Sequence, residues 1–303
     1  MAYKRVTMRD IARECGVSVA TVSLALNHSS KESISDALRL KIIQTATRMH
    51  YNPAALRERN STQTAGIILN LKEHNLPGKK LLYYDLAAEL ERRLAEEGFL
   101  ATLVTGKQPA DIYASEQLRQ LDAWFMIDVD NAAFQVKPEG FYGPIILLDA
   151  EVENPLYCKI QPDYTALYEK ANALLRGDMA FLAMEDIKSQ ALLKKMVAPF
   201  APSNVFINRP GARLDAFLEN QRGKRGIVLG DILGMQVQAL FPPGDVVAVS
   251  SLGRGGLLKQ DAPCLYVRNR DKADAAVSTM LAMLNYAFES QGGNHILVPC
   301  TED

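Results

Sequence analysis

Several acidic side chains and one tyrosine directly follow predicted strands, where they could bind a polar small molecule. The candidates are Asp128, Asp130, Asp149, Asp163, Tyr164 and Asp231. A carboxylate accepts hydrogen bonds at both oxygens, so such groups suit the hydroxyls of a sugar. An acid in this position can equally cap a helix or close a loop. Both roles stay open for each residue, and the ligand-contact prediction covers Asp128, Asp149, Asp163, Tyr164 and Asp231.

The motifs of common enzyme classes are missing from the sequence. It has no G-x-S-x-G, no P-loop, no H-E-x-x-H and no G-x-G-x-x-G at a strand-to-helix turn. The four histidines are isolated from one another, and Cys15, Cys158, Cys264 and Cys300 form no C-x-x-C pair. We therefore predict no enzyme, no metal site, no cofactor, and free thiols in a reducing cytoplasm.

The composition is that of an ordinary globular protein. Apolar residues make up 48% and charged residues 23% of 303 residues, a length that suits two or three domains. No stretch of eighteen uncharged apolar residues occurs, and the first ten residues carry no signal-peptide pattern. We expect a cytoplasmic protein with no membrane segment.

Short apolar runs alternate with helical patterns from residue 65 onward. The predicted strands are 65–69, 100–104, 123–127, 145–148, 179–183, 205–207, 226–229, 246–249, 264–267 and 296–299, and the predicted helices include 84–97, 164–175 and 271–288. Such alternation indicates parallel sheets with right-handed crossovers, so the body is predicted to be α/β. The number of units predicts two Rossmann-like lobes rather than one small sheet.

The first fifty residues predict three short helices. Thr7 and Asp10 suit the start of the first helix, Gly16 its end, and Ser18 the start of the second. A third amphipathic helix over 35–49 would close a small core. Two helices joined by a tight glycine turn are typical of a helix-turn-helix, whose second helix enters the major groove of DNA.

The charge distribution agrees with a nucleic-acid partner for this segment. Residues 1–64 contain ten Lys/Arg and five Asp/Glu, which gives about +5, while the net charge of −1 leaves about −6 for the remainder.

The stretch VTMRDIARECGVSVATVSLALN resembles the N-terminal domain of the LacI/GalR family of transcription regulators, and HYNPAAL resembles the start of that family's hinge. The resemblance implies a homodimer that reads a pseudo-palindromic site in double-stranded DNA. Val19 and Ala20 take the two positions that meet base edges. By the same resemblance, contacts that set register on the DNA fall to Thr7, Ser18, Thr21, Ser23 and Asn27, and Tyr51 is a further candidate DNA-binding residue.

Two departures from the family pattern concern specificity. Leu24 stands where the family usually has an arginine that can bind guanine, so a contact of roughly 1–3 kcal/mol is missing. Leu24 could touch a thymine methyl or simply pack. The loop 27–34 is about two residues longer than usual, and its Lys31 is a candidate phosphate contact.

The hinge departs further. The position of the leucine that wedges into the minor groove falls on Asn60, and the position of a small residue falls on Arg57. Leu56 is the remaining wedge candidate, one turn earlier. A minor-groove helix and a plain solvated linker both remain open for 51–64.

The body resembles the family's two-lobed, periplasmic-binding-protein-like regulatory domain in element order more than in residues. Asp231 in GIVLGDILG matches an acid of the family's ligand site, whereas Gly230 and Ser250–Gly253 depart from it. The expected organisation is a head over 1–50, a hinge over 51–64 and a body over 65–303. Within the body we expect lobe 1 at 65–153 and 268–292, lobe 2 at 154–263, and a crossing strand at 294–300.

Two functions follow from the resemblance. The chain is either a repressor modulated by a small molecule, such as a sugar or sugar derivative, or a constitutive DNA-binding regulator whose body serves dimerisation or protein docking. Leu81–Tyr84 could contribute to a dimer interface in either case. Repression rather than activation is the family's usual mode.

Overall fold

The computed structural model describes residues 6–26, 34–52, 63–106, 115–131, 141, 143–253, 256–259, 261–289 and 294–302. Everything below concerns these residues. None of their helices is both long and apolar enough to cross a membrane, and no group of three or more potential metal ligands lies together among them.

Three helices form the N-terminal head: α1 (Met8–Cys15), α2 (Val19–Leu26) and α3 (Asp36–Arg48). Thr7 and Asp10 form a capping box at the start of α1, and Gly16 ends it at φ 71°. The three helices close over a core that includes Ile11, Val22 and Ile42, each fully buried. The predicted caps and core of the head are therefore confirmed.

The first lobe contains a six-stranded, all-parallel sheet. Its strands are β1 (Gln63–Leu69), β2 (Phe99–Thr105), β3 (Ala123–Ile127), β4 (Ile145–Leu148), β5 (Cys158–Pro162) and β11 (His295–Val298). The spatial order is β11-β5-β4-β3-β1-β2. Strands β3 and β4 are buried along their whole length, as expected for inner strands covered on both faces.

The second lobe contains a five-stranded parallel sheet. Its strands are β6 (Phe181–Glu185), β7 (Val205–Asn208), β8 (Gly226–Leu229), β9 (Val246–Ser250) and β10 (Cys264–Tyr266). The spatial order is β10-β9-β8-β6-β7. Two parallel sheets with helical crossovers confirm the predicted α/β, two-lobed architecture.

Helices connect and cover the sheets. In chain order they are α4 (Pro77–Glu96), α5 (Glu116–Arg119), α6 (Tyr164–Leu175), α7 (Gln190–Val197), α8 (Leu214–Glu219), α9 (Asp231–Gln238) and α10 (Asn269–Leu284), with a 3₁₀ turn at Pro202–Asn204. Helix α6 has the predicted bounds. Helix α4 begins seven residues before the predicted start, because Pro77 occupies its first turn, where proline is favoured.

The sequence pattern did not predict the strand Cys158–Pro162. This strand belongs to the first lobe, so the boundary between the lobes lies further along the chain than expected. It pairs with β4 and β11 in the first sheet, although residues from 154 onward had been assigned to lobe 2. Lys159 and Gln161 interrupt its apolar pattern, so it did not read as a buried strand. After β11 the chain reaches the other sheet, where Thr301 bridges Tyr266 in antiparallel fashion.

Candidate nucleic-acid interface and interlobe cleft

The start of α2 presents an open face to solvent. Ser18, Val19 and Ala20 are exposed, and Val19 retains 43% of its accessible surface. Ser18 Oγ accepts a hydrogen bond from the backbone N–H of Thr21 at 3.0 Å, which fixes the first turn of α2. The opposite side of the helix packs Val22, Ala25 and Leu26 into the head core. The helix is therefore held from behind with its N-terminal face free.

The other predicted head contacts are placed less uniformly. Thr21, Ser23 and Leu24 are half-buried. Thr7 is exposed, and its hydroxyl donates to Asp10 at 2.6 Å within the capping box. Further predicted contacts lie outside the described residues: Asn27, Lys31, Leu56, Arg57 and Asn60.

Tyr51 does not lie on the open face. Only 3% of its surface is exposed, and its ring packs 5.9 Å from the ring of Tyr286 in the body. In this arrangement the side chain fills the head core, and its contact with DNA stays a prediction. The sequence carried no sign of this contact, because Tyr286 is more than two hundred residues away.

Two candidate ligand-binding acids are neutralised by lysines. Asp128 and Asp149 follow β3 and β4 and both have positive φ, near 50°. Lys79 Nζ lies 2.6 Å from Asp128, and Lys272 Nζ lies 2.8 Å from Asp149. All four side chains are at most 7% exposed. The two ion pairs occupy the cleft between the lobes, where acids facing a sugar had been predicted.

The remaining candidate acids also make internal hydrogen bonds. Asp163 Oδ1 accepts from Ala166 N at 3.0 Å and caps α6. Asp231 accepts from the backbone N–H of Ser251 at 3.0 Å and from the hydroxyls of Ser250 and Ser251. These bonds hold the start of α9 against the end of β9. Tyr164 lines the cleft.

Glu185 is a buried cleft acid that the sequence analysis missed. It ends β6 of the second lobe, and both its oxygens accept from Asn208 Nδ2, at 3.1 and 3.2 Å. Burial raises the pKa of Glu185 to about 7, against the opposing effects of Asn208 and Lys79. A Cβ on Gly78, in the first turn of α4, would overlap the Glu185 carboxylate. The two lobes therefore meet closely at this point.

Further polar contacts join the lobes directly. Glu151 of the first lobe accepts from Lys195 Nζ at 2.7 Å and lies 2.8 Å from His295 Nε2. Burial opposes ionisation of Glu151, but hydrogen bonds from Lys195 and His295 hold its pKa below the usual value. The Glu151 backbone N–H also donates to Ser189 at 3.0 Å. The backbone N–H of Lys188 donates to Asp128 at 2.7 Å, so the body is closed by its own side chains.

The space left inside the closed cleft is small. A cavity of about 80 Å³ remains between the lobes, lined mainly by apolar side chains such as Leu82, Met184 and Val249. A much larger cavity, about 690 Å³, lies between the head and the body. Small-molecule sites usually measure roughly 300–1,000 Å³, so the interlobe cavity lies well below that range.

Comparison with known proteins finds relatives of the N-terminal head. The family described as "Bacterial regulatory proteins, lacI family" matches residues 7–54. The HTH-type transcriptional regulator GalR of Lacticaseibacillus casei is 31% identical over 93 residues, which cover 31% of this chain and 28% of GalR. The sucrose operon repressor of Klebsiella pneumoniae is 39% identical over 74 residues, 23% of this chain and 22% of that protein. The matched segments thus span about a quarter of these relatives.

The whole chain also has a solved structural counterpart. The lac repressor dimer bound to operator and the anti-inducer ONPF superposes with a TM-score of 0.54 at 15% identity, covering 98% of this chain and 97% of that one. At this identity the likeness concerns the fold. Residues 7–54 thus match the lacI family of bacterial regulatory proteins, and the chain as a whole, with its two-lobed body, has the fold of a lac repressor.

Proposed function

We propose that this protein is a transcriptional repressor that binds DNA through α2. The observation that carries the proposal is the exposed face of Ser18, Val19 and Ala20, backed by a packed helix within the segment that matches the lacI family. A helix held in this way can enter the major groove and place short side chains against base edges. Hydroxyl groups such as that of Ser18 suit phosphate oxygens at short reach.

The proposed binding unit is a homodimer. Edge strand β2 exposes Leu100 at 60% and Leu103 at 50%, and Tyr84 on the adjacent helix α4 is 46% exposed. Exposed apolar side chains along an unpaired strand edge favour burial against another chain. A second copy of this chain suits the surface, because two heads would then read the two halves of a symmetric site. Of the segment Leu81–Tyr84, Tyr83 faces the core and Tyr84 faces solvent.

For the body, the closed cleft favours the constitutive regulator over the sugar-responsive one. The acids predicted to hold sugar hydroxyls are engaged by Lys79, Lys272 and the serines after β9. The remaining cavity of about 80 Å³ is smaller than a typical ligand site. We infer that DNA binding needs no sugar, although relatives such as the sucrose operon repressor are named for a sugar operon.

Selection of DNA from a random library with the full-length protein at physiological salt tests DNA binding. We expect a two-fold symmetric motif. The variant Val19→Asp places a carboxylate on the exposed face of α2 and should abolish recovery. Leu240→Asp makes the same kind of change at an exposed position of the second lobe, 67% exposed, and should leave recovery intact. No enrichment by the wild type would refute the proposed function.

Thermal unfolding in the presence of mono- and disaccharides tests the role of the body. A ligand present at a hundred times its Kd stabilises the folded state by about 2.7 kcal/mol. We expect no such stabilisation at millimolar sugar. A reproducible rise in Tm with one sugar would support the effector-responsive repressor instead.

A further inference from the structure

The head is attached to the body by a side-chain contact as well as by the chain. Tyr286, two residues beyond α10, is 9% exposed and belongs to the same apolar cluster as Ile11, Val22 and Ile42 of the head. Its ring lies 5.9 Å from that of Tyr51 at an angle of 51°. A body residue therefore completes the core of the head.

The hydroxyl of Tyr286 also bonds to the recognition helix. Oη donates to the backbone carbonyl of Leu26, the last residue of α2, at 2.7 Å. The last carbonyls of a helix have no partner within the helix, so an outside donor satisfies one of them. The contact ties the far end of α2 to the body, while the near end, at Ser18 and Val19, stays exposed.

Tyr286 has a backbone conformation that is unfavourable for a bulky residue. Its φ is 52°, a conformation that glycine and asparagine adopt readily after a helix and that bulky residues adopt rarely. The backbone N–H of Ala287 bonds to the carbonyl of Ala282 at 2.8 Å, which closes the end of α10. A tyrosine at such a position is favoured by what its side chain contacts.

A large cavity lies next to the Tyr286 contact. The cavity of about 690 Å³ lies beside Tyr286, between α3 of the head and the 155–157 segment of the body. Atoms that line a void lack partners on one side. On this side of the junction Tyr286 therefore has a void beside it, while its ring and hydroxyl contact the head.

We propose that Tyr286 is a latch that fixes the orientation of the head on the body and presets α2 for DNA. The latch leaves the face of Ser18, Val19 and Ala20 open, so it positions the helix and does not cover it. Preset orientation lowers the ordering cost of binding. The DNA part of this inference rests on the proposed function, whereas the docking part does not.

The first experiment measures docking without DNA. A dye on Arg13→Cys, a head position whose side chain is 78% exposed, reports head rotation by time-resolved fluorescence anisotropy. The label is placed in a Cys264→Ser background, because Cys264 is half-buried whereas Cys15, Cys158 and Cys300 are buried. In the wild type we expect one slow correlation time. Tyr286→Asn removes the ring but suits the positive φ, and it should add a fast component of a few nanoseconds.

A matched control makes the same exchange at another helix end. Arg176 ends α6 at φ 51°, and Arg176→Asn should leave the anisotropy decay unchanged. Circular dichroism of Tyr286→Asn checks that the body remains folded. A single slow correlation time in Tyr286→Asn would overturn the latch.

The second experiment measures affinity for a duplex recovered by the selection. Tyr286→Phe keeps the ring and loses one hydrogen bond, which predicts a two- to tenfold weaker Kd. Tyr286→Asn should weaken binding by about tenfold or more. Unchanged or tighter binding by a variant with a released head would overturn the positioning role. If the wild type bound no duplex, the proposed function would be refuted. The anisotropy experiment would still show whether Tyr286 fixes the head on the body.

Discussion

The ion pair between Lys272 and Asp149 provides the sharpest test of how the closed body is stabilised. Both side chains are nearly buried, at 4% and 7% exposure, with 2.8 Å between Nζ and Oδ2. Lys272→Met keeps the length of the side chain and removes its charge, which leaves a buried carboxylate without its cation. Breaking such a pair costs about 3–5 kcal/mol.

The second substitution shows whether the buried charge causes the loss. Asp149→Asn removes the charge and tolerates the φ of 50° at this position. The double variant Lys272→Met/Asp149→Asn should therefore recover most of the stability.

Urea unfolding followed by tryptophan fluorescence measures these effects. Trp124, the single tryptophan, is buried in β3 of the same lobe and stacks on Phe141 at 4.1 Å. With a denaturant slope of about 2 kcal/mol/M, a loss of about 4 kcal/mol lowers the midpoint by about 2 M. Arg213→Met breaks an exposed pair with Asp215 and should leave the midpoint in place. A Lys272→Met midpoint within about 0.5 M of the wild type, or a double variant no more stable than the single one, would refute the reasoning.

Three more predictions concern the cleft, the head and the dimer. Because the folded-state pKa of Glu185 is raised to about 7, the stability it confers is complete below about pH 4.5 and lost as pH rises through 7. The free energy of unfolding of the wild type, relative to Glu185→Gln, should thus fall by about 2 kcal/mol from pH 5 to pH 8; parallel pH profiles would contradict this. Leu24→Arg should restore a guanine preference of roughly 1–3 kcal/mol, read from selected DNA sequences; an unchanged motif would place residue 24 away from the bases. Leu103→Asp should dissociate the dimer in sedimentation velocity, whereas the matched change Leu240→Asp, at a still more exposed leucine, should not; a dimer in both would assign the interface elsewhere.

The three helices of the head could be predicted because the signals that define them are local. Thr7 with Asp10, Gly16 and Ser18 mark helix ends within three or four residues of the groups they bond to. The apolar spacing around Ile42 then decides which faces meet. The strands β3 and β4 were equally clear, since continuous apolar runs are typical of inner parallel strands.

The cleft could not be predicted, because its contacts join residues far apart in the chain. Lys272 is buried on α10 together with Ala273 and Ala276. From sequence alone, a lysine near the start of a helix is predicted to be exposed, because its buried acidic partner is not known. Lys79 and Glu185 gave no sequence signal, since their partners lie on other elements. The acids after the strands were located correctly, and their lysine partners were not foreseen.

The position of β11 has a consequence for the order in which the first sheet is completed. Strand β5 is fully buried in the finished fold, yet its outer neighbour β11 is made only after the entire second lobe. During synthesis β5 therefore presents an unpaired edge while the second lobe forms, and such an edge invites pairing with other chains. A chain stalled on the ribosome before His295 would contain both sheets, with β5 as an exposed edge strand that can pair with other chains.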